Sequence, residues 1–191
     1  MNLQELKQLI DLAIRDCQRI VNRNPNVILS EGDFERILAE CISKRIGYVE
    51  ECPDSKGFVV HSQISHYDNE RDECDAQVDI LLARPTDIKP YSSLNKKYII
   101  YSSAESFAIE LKYRHDAHQG CVTAAKEDID KFLKYYKEDS YYYSIILLDK
   151  NRDTSKHKRE IMDYYKTAKS KLERDYAKKF FCKVLVKPTN R

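Results

Sequence analysis

Apolar residues recur with helical spacing along the first twenty positions. Leu3, Leu6, Leu9, Ile10, Ala13, Ile14, Cys17 and Val21 lie on the i, i+3, i+4, i+7 stripe of an amphipathic helix over residues 2–22. The turn-favouring run Asn22-Arg23-Asn24-Pro25-Asn26 ends it. A second helix begins at Ser30, where Ser30-Glu31-Gly32-Asp33 reads as a capping box with Asp in place of the longer Glu. Phe34, Ile37, Leu38, Cys41 and Ile42 make its apolar face, and Gly47 is its expected stop. The pattern then shifts toward strands. Tyr48-Val49-Glu50 opens one, 52–57 is a turn and 58–64 a further strand, followed by a polar, acidic connection over 65–75. Residues 77–83 are a near-continuous apolar run of strand length. Residues 84–97 read as loop with Pro85 and Pro90 as breakers, and 98–101 as a short edge strand or the beginning of the central one. Strict alternation marks 107–113, a turn covers 115–120, and a helix with Ile129, Phe132, Leu133 and Tyr136 on its face covers 122–137. A strand over 141–148, a basic helix over 156–178 and a strand over 180–186 complete the chain. This order predicts an α/β domain, a central mixed β-sheet flanked by helices.

Charges interrupt two of these strands. In 107–113, Phe107, Ile109, Leu111 and Tyr113 face one way, while Ala108, Glu110 and Lys112 face the other. A carboxylate and an ammonium two residues apart on an exposed sheet face would be a weak ion pair. Asp79 changes the picture, because it lies inside the apolar 77–83 run, where an acid is costly unless paired or metal-bound. Glu31 and Glu35 add carboxylates one turn apart at the start of the second helix. The helix dipole accounts for Glu31 there better than for Glu35. Carboxylates converging near a sheet form a hard-oxygen site suited to Mg²⁺ or Mn²⁺, which keeps waters and takes up substrate phosphate.

With Val78-Asp79-Ile80-Leu81 and Ile109-Glu110-Leu111-Lys112 in this order, the chain resembles the PD-(D/E)XK nuclease superfamily of restriction endonucleases and Holliday-junction resolvases. The resemblance covers about residues 30–149 in α-β-β-β-α-β order. The helix over 2–22 and the helix and strand within 150–191 are additions to a single restriction-endonuclease-like domain over 1–191. No Pro precedes Asp79, and the long gap to Glu110 implies an inserted loop or hairpin over 84–104. The resemblance implies a divalent-metal-dependent nuclease acting on DNA, an endonuclease ahead of an exonuclease, with Mg²⁺ or Mn²⁺ as cofactor. Asp79, Glu110 and the Leu111 backbone carbonyl would bind the metal, and Lys112 would orient or activate the attacking water. Glu35 would assist through a bound water or second metal. It is preferred to Glu31 because Glu35-Arg36 matches the resolvase-like Glu-Arg start. The alternatives are a catalytically inactive binding module of the same fold, and an interaction protein whose first helix docks on itself or a partner.

Composition narrows the setting. The 191 residues suffice for one domain with a proper core, and 42% hydrophobic with 34% charged residues describe a soluble globular chain. No apolar run approaches the roughly 18 residues of a membrane span, and no secretion signal opens the sequence. Six scattered cysteines without metal-ligand spacing read as reduced core thiols, so a cytoplasmic location is expected. The net charge of +2 conceals a division: residues 150–191 hold 14 Lys/Arg against 5 Asp/Glu, while the remainder is net −7. That basic segment is a candidate footprint for nucleic acid, and a homodimer is a further expectation. Other polar groups have plainer readings. His115 and His118 read as loop histidines, and His61 and His66 as flanking a strand end. Gln119 and Lys126 are weak auxiliary candidates, Asp128 and Lys131 an exposed helix pair, and Tyr141-Tyr142-Tyr143 the start of a strand rather than a base-stacking surface.

Overall fold

Helix α1 (Leu3–Arg23) opens on a reciprocal cap. The Asn2 side chain accepts the Glu5 N–H and the Glu5 carboxylate accepts the Asn2 N–H, both at 2.9 Å. Its stripe of Leu6, Ile10, Ala13, Ile14, Cys17 and Val21 is buried inside the molecule, against helix α2 (Glu31–Ile46) and strand β7 (Phe180–Lys187). An amphipathic face held for docking on a partner is thereby used up within the chain. Helix α2 begins with the expected box: Ser30 Oγ accepts the Asp33 N–H at 3.1 Å, and the Asp33 carboxylate accepts the Ser30 N–H at 3.2 Å. Gly47 ends it at φ 88°, a left-handed value that glycine adopts without steric cost. The structure, a computed structural model, describes residues 1–47, 57–68, 73–90, 98–101, 105–113, 118–134 and 140–189. The strand expected at Tyr48, the turn over 52–56, His115 and the helix end at Tyr136 lie outside them.

The remaining strands are β1 (Val59–Asp68), β2 (Glu73–Ala83), β3 (Ile88–Pro90), β4 (Tyr98–Tyr101), β5 (Ser106–Tyr113) and β6 (Ser140–Asp149). They join β7 in one seven-stranded mixed sheet of order β3-β4-β1-β2-β5-β6-β7. β5, β6 and β7 run parallel, and β2 pairs antiparallel with both β1 and β5. Helix α3 (His118–Lys134) connects β5 to β6, and α4 (Thr154–Lys169) connects β6 toward β7.

Several expectations are corrected. Within the acidic 65–75 stretch, residues 65–68 and 73–75 are strand, because the β1–β2 ladder continues to the Asp68–Glu73 pair. His61 and His66 therefore lie within β1 rather than at its end. The 84–97 loop contains β3, which pairs antiparallel with β4; Pro90 is compatible with this outer position, where a missing N–H costs least. This is the hairpin that the long Asp79–Glu110 gap implied. His118, Gln119 and Gly120 are helical, not turn. The basic helix does not continue to 178: α4 stops at Lys169, and α5 (Arg174–Ala177) is a separate short turn of helix.

Two apolar layers sandwich the sheet. Phe107, Ile109, Leu111 and Tyr113 pack under α1 and α2, while Ala108 packs with α3 residues Cys121, Ala125 and Ile129 and with α4 residue Ile161. Tyr141 stacks on Phe107 at 4.7 Å and Tyr143 on Phe181 at 4.8 Å, so the tyrosine run is sheet packing. Cys17, Cys41, Cys121 and Cys182 are buried, with burial pushing the Cys17 and Cys182 thiols up to about 12. Among the described residues no helix is long and apolar enough to cross a membrane.

Candidate metal and phosphodiester site

The β2–β5 ladder runs through Leu82–Phe107, Leu81–Ala108 and Ile80–Ile109. Asp79 and Glu110 are the next residue on each strand. Like charges facing each other across a ladder destabilise a sheet, and here the ladder gives way to side-chain bonding. Asp79 Oδ2 accepts the Leu111 N–H at 2.7 Å, in place of a backbone carbonyl. This bond secures the Asp79 carboxylate beside β5 and leaves Leu111 itself buried under α2.

Glu110 is only 7% exposed. Its Oε1 accepts from Lys131 Nζ of α3 at 2.8 Å, and Lys131 Nζ also donates to the Gln77 carbonyl at 2.5 Å. Among the described residues, Glu110 Oε2 is buried without a hydrogen-bond partner. Burial, then the neighbouring Asp79 charge, push the Glu110 carboxyl up to about 7 despite Lys131. Burial also raises Asp79, with Glu31 and Glu35 adding to it against the Leu111 N–H and Lys112.

Lys112 is held between two elements. Its Nζ lies 3.4 Å from Glu31 Oε1 of α2 and 3.6 Å from Asp128 Oδ2 of α3. Burial pulls the ammonium down, but Asp128, Glu31 and Asp79 more than offset this, and it stays above the ordinary lysine value. Burial raises Asp128 to about 6, against the pull of Lys112 and Lys131.

The start of α2 is fastened at the end of β5. Glu31 Oε2 accepts the Tyr113 N–H at 3.0 Å, and buried Lys187 donates to the Ile28 carbonyl at 2.7 Å and to the Tyr113 hydroxyl at 2.6 Å. Glu31, rather than Glu35, therefore touches Lys112; Glu35, one turn on, is felt at Asp79 through its charge. Asp128 and Lys131 are not an exposed pair, because both reach the sheet residues that sequence pattern had selected. Their i, i+3 spacing was visible, but helical periodicity alone does not say which face meets a strand. Gln119 and Lys126 stand apart: Gln119 is exposed, and Lys126 pairs with Glu160 of α4 at 2.6 Å.

Four carboxylates (Glu31, Asp79, Glu110, Asp128) thus lie around the Lys112 and Lys131 ammonium groups, with the Glu35 charge felt at Asp79. Among the described residues no three His, Cys, Asp or Glu side chains already converge to hold an ion. The donor set nevertheless fits a hard divalent cation. It is all oxygen, carries excess negative charge and includes the unpartnered Glu110 Oε2 beside Asp79. Mg²⁺ in phosphate-handling sites is commonly held by one or two carboxylates with waters and substrate oxygens completing the shell.

No protein-family model matches the chain, and no curated protein matches it. Two solved structures match. NucC of E. coli MS115-1 in its cAAA-bound form is 9% identical, with a TM-score of 0.48. NucC of P. aeruginosa ATCC27853, also cAAA-bound, is 13% identical, with a TM-score of 0.49. Each alignment covers 92% of this chain and 73% of the NucC chain.

Proposed function

We propose that this protein is a divalent-metal-dependent nuclease that hydrolyses phosphodiester bonds in DNA, cutting internally. The observation that carries the reading is the buried Glu110 oxygen beside Asp79 that has no partner among the described residues, with Lys112 two residues further along the same strand. An acid pair arranged at such electrostatic cost is expected where a cation is to be bound. Asp79, Glu110 and the Leu111 carbonyl would hold Mg²⁺ or Mn²⁺, which when bound sharpens a water nucleophile and stabilises charge on the phosphoryl group.

The chain's own groups do the rest. Lys112 presents a cation and hydrogen-bond donors to the attacking water and to a phosphate oxygen. Glu31 and Asp128 keep it protonated and aimed from opposite sides. Glu35 adds negative charge that favours cation binding. The exposed Lys156, Lys158 and Arg159 of α4 would contact the phosphate backbone, giving affinity without sequence choice.

The test is cleavage of supercoiled plasmid with Mg²⁺ or Mn²⁺, alongside chelator and Asp79→Ala controls and linear and single-stranded DNA. Metal-dependent nicking abolished by both controls is expected. DNA binding with no cleavage under any metal would refute the enzyme and leave the non-catalytic binding module.

A further inference from the structure

We infer that Lys131 is an internal cation that occupies the Glu110 carboxylate in place of a metal, so that a divalent ion must displace it to bind. This inference rests on the metal-nuclease reading and names a residue that sets its ion affinity. Three observations carry it. The Lys131 ammonium takes one Glu110 oxygen at 2.8 Å while the other oxygen is buried without a partner among the described residues. One positive charge therefore serves a carboxylate that stands beside Asp79 of the neighbouring strand, and it reaches only one of the two oxygens. A divalent ion brings the additional charge to the same oxygens.

The two partners also differ in accessibility. The Lys131 side chain is 26% exposed against 9% for Glu110. A flexible lysine stem can return its head to water at little cost, whereas the enclosed carboxylate needs a replacement cation. Asp128, one turn earlier on α3 and within electrostatic reach of Lys131, offers the released ammonium a second carboxylate. Lys112 cannot serve this role equally, because its ammonium is engaged by Glu31 and Asp128.

Calorimetric titration of Mn²⁺ alone, without nucleic acid, tests the competition in full-length wild type, Lys131→Met, Lys131→Arg and Asp79→Ala, each checked by thermal melting. Lys131→Met is expected to bind Mn²⁺ about fivefold more tightly than wild type, the factor corresponding to a displaced ion pair worth ~1 kcal/mol. Lys131→Arg, which keeps a cation there, should bind no more tightly than wild type. Unchanged or weaker binding in folded Lys131→Met, with wild type binding and Asp79→Ala not, would overturn the competition and leave the nuclease reading standing. Tighter binding in both Lys131 variants would also overturn it, since the charge would then be irrelevant. No Mn²⁺ binding by wild type would refute the metal site and this inference with it.

Discussion

Replacing Glu110 with glutamine should stabilise the metal-free protein at high pH and do little at low pH. The carboxyl titrates at 4.5 when unperturbed and is pushed up to about 7 in the fold, first by burial and then by Asp79. Below pH 4.5 it is protonated in both the folded and unfolded states, so its ionisation costs nothing. Between 4.5 and about 7 the unfolded chain loses its proton while the folded one keeps it, and stability falls as pH rises. Above about 7 the loss is complete. A displacement of this size corresponds to ~3 kcal/mol, and the small exposure of Glu110 leaves little solvent screening to reduce it. The shift already includes the attraction of Lys131, so Glu110→Gln should gain ~3 kcal/mol at pH 8. That corresponds to about 6–12 °C in melting temperature for a domain of this size. The assay is urea and thermal unfolding from pH 4.5 to 8.5 with chelator present. Equal stability at pH 8, or a difference that does not vary with pH, would refute the electrostatic account of the site.

Other consequences follow from the same geometry. Ser30→Ala removes the hydroxyl that accepts the Asp33 N–H and should cost ~1 kcal/mol in denaturant melts. Because that cap positions Glu31 against Lys112, cleavage should fall by more than DNA binding does; an equal fall in both would separate the cap from the site. Substituting Lys156, Lys158 and Arg159 together by glutamine should leave stability within about 0.5 kcal/mol of wild type, as all three are exposed. The salt dependence of DNA affinity should weaken by up to about 2.7 in the log–log slope; an unchanged slope would place the nucleic acid elsewhere.

The hydrophobic pattern by itself determined which segments are helix and strand in the core. Period-two alternation in 107–113 and the helical stripe of α1 each depend on residues close in sequence, and both are present as expected. Asp79 was legible for a similar reason, as an acid inside an apolar run, whereas Glu110 and Lys112 were picked out beside it by the family resemblance. What the linear pattern could not carry was everything that depends on two elements meeting. The extension of β1 and β2 through a polar stretch comes from cross-strand pairing, which compensates for weak hydrophobicity. The break after Lys169 was hidden because charge and helix propensity run through it, whereas α4 must end for β7 to return beside β6. The helix carboxylate at Lys112 is Glu31 because the Lys187–Ile28 and Glu31–Tyr113 bonds set where α2 begins relative to β5. Asp128 and Lys131 became part of the site only once α3 folded across the sheet. The core helices and strands were encoded locally; the electrostatics of the site belong to the packing of three elements, 81 residues apart between Glu31 and Lys112 and 21 between Glu110 and Lys131.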